Sequence, residues 1–203
     1  MAGARNLAAL ALVACLAGAA EADVAEGLAL FERGDFDGAA AALEPGVAAG
    51  DAAAQYLLGI MYLNGMTVPP DDAAAQRLIR ASAEQGHLPA QSELARMYRA
   101  GDGVEQDFAQ MMHWYEQAAA QGDVGAQLFV ADGYAYGVGV APDTVEAYKW
   151  YEIAIQYWGP LAVRARDVVA ERMTADQVAE AVQRAGAWLM EHGTAPAAGA
   201  GTQ

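Results

Sequence analysis

Apolar positions between residues 53 and 158 follow a helical period, and the pattern recurs. In the stretch 53–64, Ala54, Leu58 and Tyr62 stand at i, i+4 and i+8, one stripe of a helix. A glycine-rich loop follows each such stripe, as in Gly101-Asp102-Gly103-Val104 and Gly137-Val138-Gly139-Val140. A second helix then begins at an aspartate and buries 111, 114, 115, 118 and 119, at i, i+3, i+4, i+7 and i+8. Asp107 with Gln110, and Asp143 with Glu146, have capping-box spacing. This predicts that each aspartate accepts orphan N–H groups of the first turn while Gln110 or Glu146 reaches back. Gly122 is placed to stop the helix as a C′ glycine does.

The whole unit repeats every 36 residues. Ala54, Ala90 and Ala126 keep that step. So do Gln55, Gln91 and Gln127; Tyr62, Tyr98 and Tyr134; Gly65, Gly101 and Gly137; and Asp71, Asp107 and Asp143. Trp114-Tyr115 and Trp150-Tyr151 match, with Leu78-Ile79 in the first copy. One helix pair cannot cover its own apolar stripe, whereas stacked neighbours do so for each other. The expected fold is therefore all-α, a curved solenoid of helix pairs. The alanine columns allow close helix approach, and Trp114 and Trp150 are expected as buried knobs.

The columns resemble Sel1-like repeats, relatives of the tetratricopeptide repeat. The resemblance rests on the 36-residue period, the Ala90-Leu94-Tyr98 helix, the G-x-G-V loop, and Trp-Tyr followed by Ala118-Ala119-Ala120-Gln121-Gly122. The resemblance implies a right-handed superhelical solenoid of antiparallel helix pairs with three units, at 51–87, 88–123 and 124–158. Departures are Thr67 in place of the loop's second glycine, Leu78-Ile79 in place of Trp-Tyr, and Tyr157-Trp158 in place of Gln-Gly. Residues 23–50 read as an N-terminal capping helix pair and 159–192 as C-terminal capping helices. In the latter, Thr174-Ala175-Asp176-Gln177 forms a capping box, and its Met-Thr start resembles the helix that often follows such arrays. The tail 193–203 is low-complexity and expected to be disordered.

Ahead of the repeats, Arg5, the apolar run Leu7–Ala17 and the small residues Gly18–Ala20 follow the order of a signal peptide, assigned to 1–22. The run is too short to span a bilayer, which takes about 20 apolar residues. Export, with the periplasm as destination, is one expectation. Leu12-Val13-Ala14-Cys15 also resembles a lipoprotein box, so lipid anchoring through Cys15 is the alternative.

Composition narrows the function. With 11 Lys+Arg against 26 Asp+Glu, the formal charge is −15. Lys149 is the sole lysine. Nucleic acid is excluded as a partner, because phosphate neutralisation needs basic residues, and no membrane insertion is expected. Cys15 alone supports neither a disulfide framework nor a cysteine metal site. Ser82 and Ser92 lie in no nucleophile motif, and His87, His113 and His192 are far apart. No cofactor, metal or catalytic residue is assigned. The rival class, a cell-envelope enzyme acting on a β-lactam or peptidoglycan fragment, would need a clustered nucleophile and base.

Candidate binding residues lie roughly opposite the packed stripe of the first helix in each unit. They are Tyr56, Ile60 and Leu63; Ser92, Arg96 and Arg99; and Leu128, Asp132 and Ala135. Their chemistry varies on a constant frame. In related solenoids this face lines a concave groove, which implies an adaptor binding a protein or peptide, acting as a monomer in envelope signalling or assembly. Arg96 and Arg99 can fork a partner carboxylate or phosphate. Alternatively, Arg96 pairs with Glu93 along the helix and Arg99 is merely solvated.

Overall fold

The computed structural model describes residues 24–66 and 71–193. The expected signal peptide with Cys15, the loop residue Thr67 and the tail beyond Gly193 lie outside them. Every regular element among the described residues is helical. In chain order these are α1 (24–32), α2 (Phe36–Ala49), α3 (Ala52–Leu63), α4 (Asp72–Glu84), α5 (Leu88–Ala100), α6 (Phe108–Ala120), α7 (Val124–Tyr136), α8 (Thr144–Trp158), α9 (Pro160–Ala170) and α10 (Ala175–His192). The architecture is the expected all-α, helix-pair solenoid class. By internal packing the chain divides into two units, Met1–Ala90 and Gln91–Gln203, with the boundary inside α5.

In the N-terminal unit, Ala39 and Leu43 of α2 meet Ala54, Leu58 and Met61 of α3. Small side chains set the helix spacing. A Cβ on Gly46 would sit 2.9 Å from the Ala54 Cβ, and one on Gly59 would sit 2.7 Å from Ile79 Cγ1 of α4. In the C-terminal unit the buried set includes Leu94, Met97, Met112, Val130, Tyr151 and Ile153. Trp114 and Trp150 are buried knobs, 6% and 7% exposed, as their column predicts.

The fixed spacing between tyrosine and aspartate has a mechanical reason. The Asp71, Asp107 and Asp143 N–H groups donate to the carbonyls of Tyr62, Tyr98 and Tyr134, at 3.3, 3.0 and 3.0 Å. Each aspartate thus ties the glycine loop back onto the end of the preceding helix. Its carboxylate then caps the next helix, accepting from Ala74; from Ala109 and Gln110; and from Val145 and Glu146. The reciprocal half of the expected capping box is not made at Asp107 or Asp143, because the tyrosine carbonyl already occupies that N–H. Glu146 instead pairs with Lys149 and Arg184. The complete box forms at Thr174, which exchanges hydrogen bonds with Gln177.

The glutamine column forms rungs inside the pairs. Gln85 Nε2 donates to Gln55 Oε1 at 2.8 Å, and Gln121 Nε2 donates to Gln91 Oε1 at 2.7 Å. The corresponding partner of Gln127 would stand at 157, where the chain has Tyr157. Gln127 is 0% exposed, and among the described residues neither its amide oxygen nor its nitrogen has a hydrogen-bond partner. The third pair ends differently as well. α8 runs on to Trp158, Gly159 turns the chain at φ 47°, and Pro160 starts α9, a position where its missing N–H costs nothing.

Candidate functional site

The nine candidate positions fall into both units and do not form one uniform face. In the N-terminal unit, Tyr56, Ile60 and Leu63 are half-buried rather than exposed. The Tyr56 ring lies 5.1 Å from that of His87. Burial lowers the pKa of His87, Asp51 opposing, and its buried Nδ1 has no hydrogen-bond partner among the described residues.

In the C-terminal unit, the Ser92 hydroxyl donates to Asp123 at 2.7 Å. Arg96 is held by Glu93 at 2.6 Å and by Asp102 at 3.1 Å. Its charge is therefore engaged within the protein, and the two-arginine fork is not formed. Leu128 is half-buried. Asp132 accepts from the Tyr151 hydroxyl, and burial together with this carboxylate raises the Tyr151 pKa above the usual phenol value. Ala135 departs from expectation: it is 3% exposed, with Arg172 of the C-terminal cap reaching its carbonyl at 3.4 Å.

Arg99 is the candidate that leads to a site. It is exposed, and its guanidinium carbon stands 4.8 Å from the centre of the Phe129 ring. Phe129 also stacks on Tyr115, centroids 4.7 Å apart and planes 11° from parallel. The cation is thus held against a stacked aromatic pair by ring contact. Among the described residues no carboxylate lies within ion-pair distance of Arg99.

Arg99 and Phe129 line a half-open cavity of about 140 Å³. Phe108 and Met111 of α6, Asp132, Gly133 and Tyr136 of α7, and Val138 complete its lining. Phe108, Phe129, Tyr136 and Val138 are 42, 37, 67 and 40% exposed, so the groove presents apolar surface to water.

Glycines shape this groove. A Cβ on Gly133 would collide with the Met112 sulfur, so its absence lets α6 and α7 approach. At Gly139, φ is +75° and a Cβ would be driven into the Phe108 carbonyl oxygen. The Gly137-Val138-Gly139 turn thus lies against the start of α6 and sets Val138 beside Phe108. Gly137 N–H and Val138 N–H both close on the Gly133 carbonyl, at 2.8 and 3.0 Å, ending α7 in an αL turn.

Reasoning from the helix face found Arg99 and Asp132 and missed Phe108, Phe129, Tyr136 and Val138. A signal was present. Phe108 shares its column with Asp72 and Thr144, and Tyr136 shares its column with Asn64 and Ala100. An aromatic side chain unique to one copy does not serve the common frame.

The groove can enclose an apolar side chain and hold an anion at its rim. Among the described residues no group of three or more His, Cys, Asp or Glu side chains is arranged to hold a metal, and no helix is long and apolar enough to cross a membrane.

Comparison with known proteins agrees with this architecture. The Sel1 repeat model matches residues 52–87, 88–123 and 124–156. The chain is similar to a Sel1 repeat protein from Oxalobacter formigenes, known by crystal structure. Identity is 38% over 62% of this chain and 94% of that one, with a TM-score of 0.56. A remoter likeness, 18% identity over 83% of this chain and 53% of the other with a TM-score of 0.43, is to c5321, a protective antigen present in uropathogenic Escherichia coli strains with an SLR fold. No curated protein matches. Sel1 repeats generally mediate protein–protein interactions and are typically non-catalytic. With three repeats matched over half its length, the chain belongs to the Sel1-repeat family.

Proposed function

We propose that this chain is an exported scaffold that docks a protein or peptide segment in the groove between Phe108, Phe129, Tyr136 and Val138, serving envelope signalling or assembly. The observation that carries this reading is the exposure of those four side chains around one cavity. Contiguous apolar surface of this kind marks interaction sites on soluble proteins. Export is supported by the charged start, short apolar run and small residues of 1–22. A mature N-terminus beginning shortly after Ala19 or Ala22 would agree with release into the periplasm, and a diacylated Cys15 with anchoring.

The docking test is capture from the native envelope with the full chain and a Phe129→Ser/Tyr136→Ser variant. The variant is expected to keep the helical spectrum, with a lower melting point from the lost Phe129–Tyr115 stack, and to lose the partners the wild type retains. An unchanged set of captured proteins would remove the groove from the function.

A further inference from the structure

We infer that the groove receives the C-terminal residue of an extended peptide, an apolar side chain whose own carboxylate docks on Arg99. This rests on the docking reading above and names its ligand.

Charge is the first argument. The chain has 26 acidic against 11 basic residues, so a cation has many acids to find. Arg96, Arg166 and Arg184 each hold two carboxylates, and Lys149 holds one. Arg99, like Arg33, Arg77, Arg164 and Arg172, holds none among the described residues, and of these five Arg99 is the one that lines this cavity. The ring of Phe129, backed by Tyr115, positions it without neutralising it. A guanidinium prepared in this way loses little freedom when it forks a carboxylate.

The second argument is the company Arg99 keeps. The cavity, about 140 Å³ with apolar walls, suits one Leu, Met or Phe side chain. Asp132 lines the same cavity, with one oxygen taken by Tyr151 and acceptor capacity remaining. A ligand must therefore offer an anion, an apolar group and an N–H donor close together. The last residue of a peptide carries all three on one Cα. Polyacidic and phosphorylated segments fit poorly, because Asp132 and the −15 net charge repel any negative charge beyond the one Arg99 balances. Capture of a chain-terminal carboxylate is a recognised mode of peptide binding.

The test uses fluorescence anisotropy on the full chain with fluorescein-Gly-Ser-Gly-Ser-X peptides, X being Leu, Met or Phe. Each is made as the free acid and as the C-terminal amide. At least one acid is expected to bind tenfold or more tighter than its amide. Arg99→Met should abolish that difference by weakening the acid alone, and Arg96→Met should preserve it. Equal binding of acid and amide, a difference that survives Arg99→Met, or no binding by any of the three acids would each overturn the inference. If acids and amides bind equally and Phe129→Ser/Tyr136→Ser abolishes both, docking in the groove stands and recognition of the terminal carboxylate falls.

Discussion

The first two repeats and the third treat the same glutamine column in opposite ways. Gln55 and Gln91 each meet a glutamine thirty residues on, whereas Gln127 is sealed in with neither end of its amide satisfied. The third repeat also contributes Phe129, Tyr136 and Val138 to the groove. Where the repeat is faithful, side chains serve the frame. Where it departs, the chain has either an energetic defect or a surface with another use. The comparison separates the two: Gln127 lies inside the helix pair, and the exposed rings lie outside it.

Four tests probe this contrast, in order of expected effect. Trp150→Ala should cost about 3–5 kcal/mol in a urea melt, the usual penalty for emptying a buried large aromatic site. Leu78→Ala, at the same column of the first repeat but only half-buried, should cost less. Equal losses would mean that the columns do not carry their packing as burial indicates.

Gly139→Ala comes next. It forces a Cβ against the Phe108 carbonyl at a positive φ and should cost about 1–3 kcal/mol. It should also displace Val138 from the groove, which a change in peptide binding would report.

The third test reverses sign between repeats. Gln127→Met removes two orphaned polar atoms from a dry interior and should raise stability by about 1 kcal/mol. Gln91→Met breaks a rung and should lower it by a similar amount. Thermal melts of the two variants shifting in the same direction would dissolve the distinction.

The smallest effect concerns pH. Burial lowers the His87 pKa from 6.5, so the folded protein resists a proton that the unfolded chain accepts. The stability this group contributes is complete above the unfolded value and is lost as pH falls toward the folded one. His87→Asn should flatten the stability profile between about pH 7.5 and 5, where the group titrates. A profile unchanged by the substitution would show that another group causes the acid slope.

The frame was readable in the sequence because a repeated contact leaves a repeated residue. The Tyr98–Asp107 clasp and the Gln91–Gln121 rung recur at constant spacing, so periodicity alone exposes them. The site was less readable. Counting around a helix gives a direction relative to that helix, not what covers it. Ala135 lies in the predicted direction yet beneath Arg172, which comes from a segment thirty-seven residues later. Tyr56, Ile60 and Leu63 looked outward by the same count and are half-buried. Phe108 and Val138 meet only because Gly139 allows a loop to touch the start of α6, a contact that helical periodicity does not encode.

The rung between Gln91 and Gln121 closes within its own helix pair, which bears on how such an array can grow. A copy of residues 88–123 spliced in just before Val124 would carry its rung complete, since Gln91 and Gln121 travel together. The same copy appended after Trp158 would meet the Gly159-Pro160 turn where the other pairs offer a Gly-Asp or Gly-His junction. Lengthening the protein is therefore easier from within than at its trailing edge.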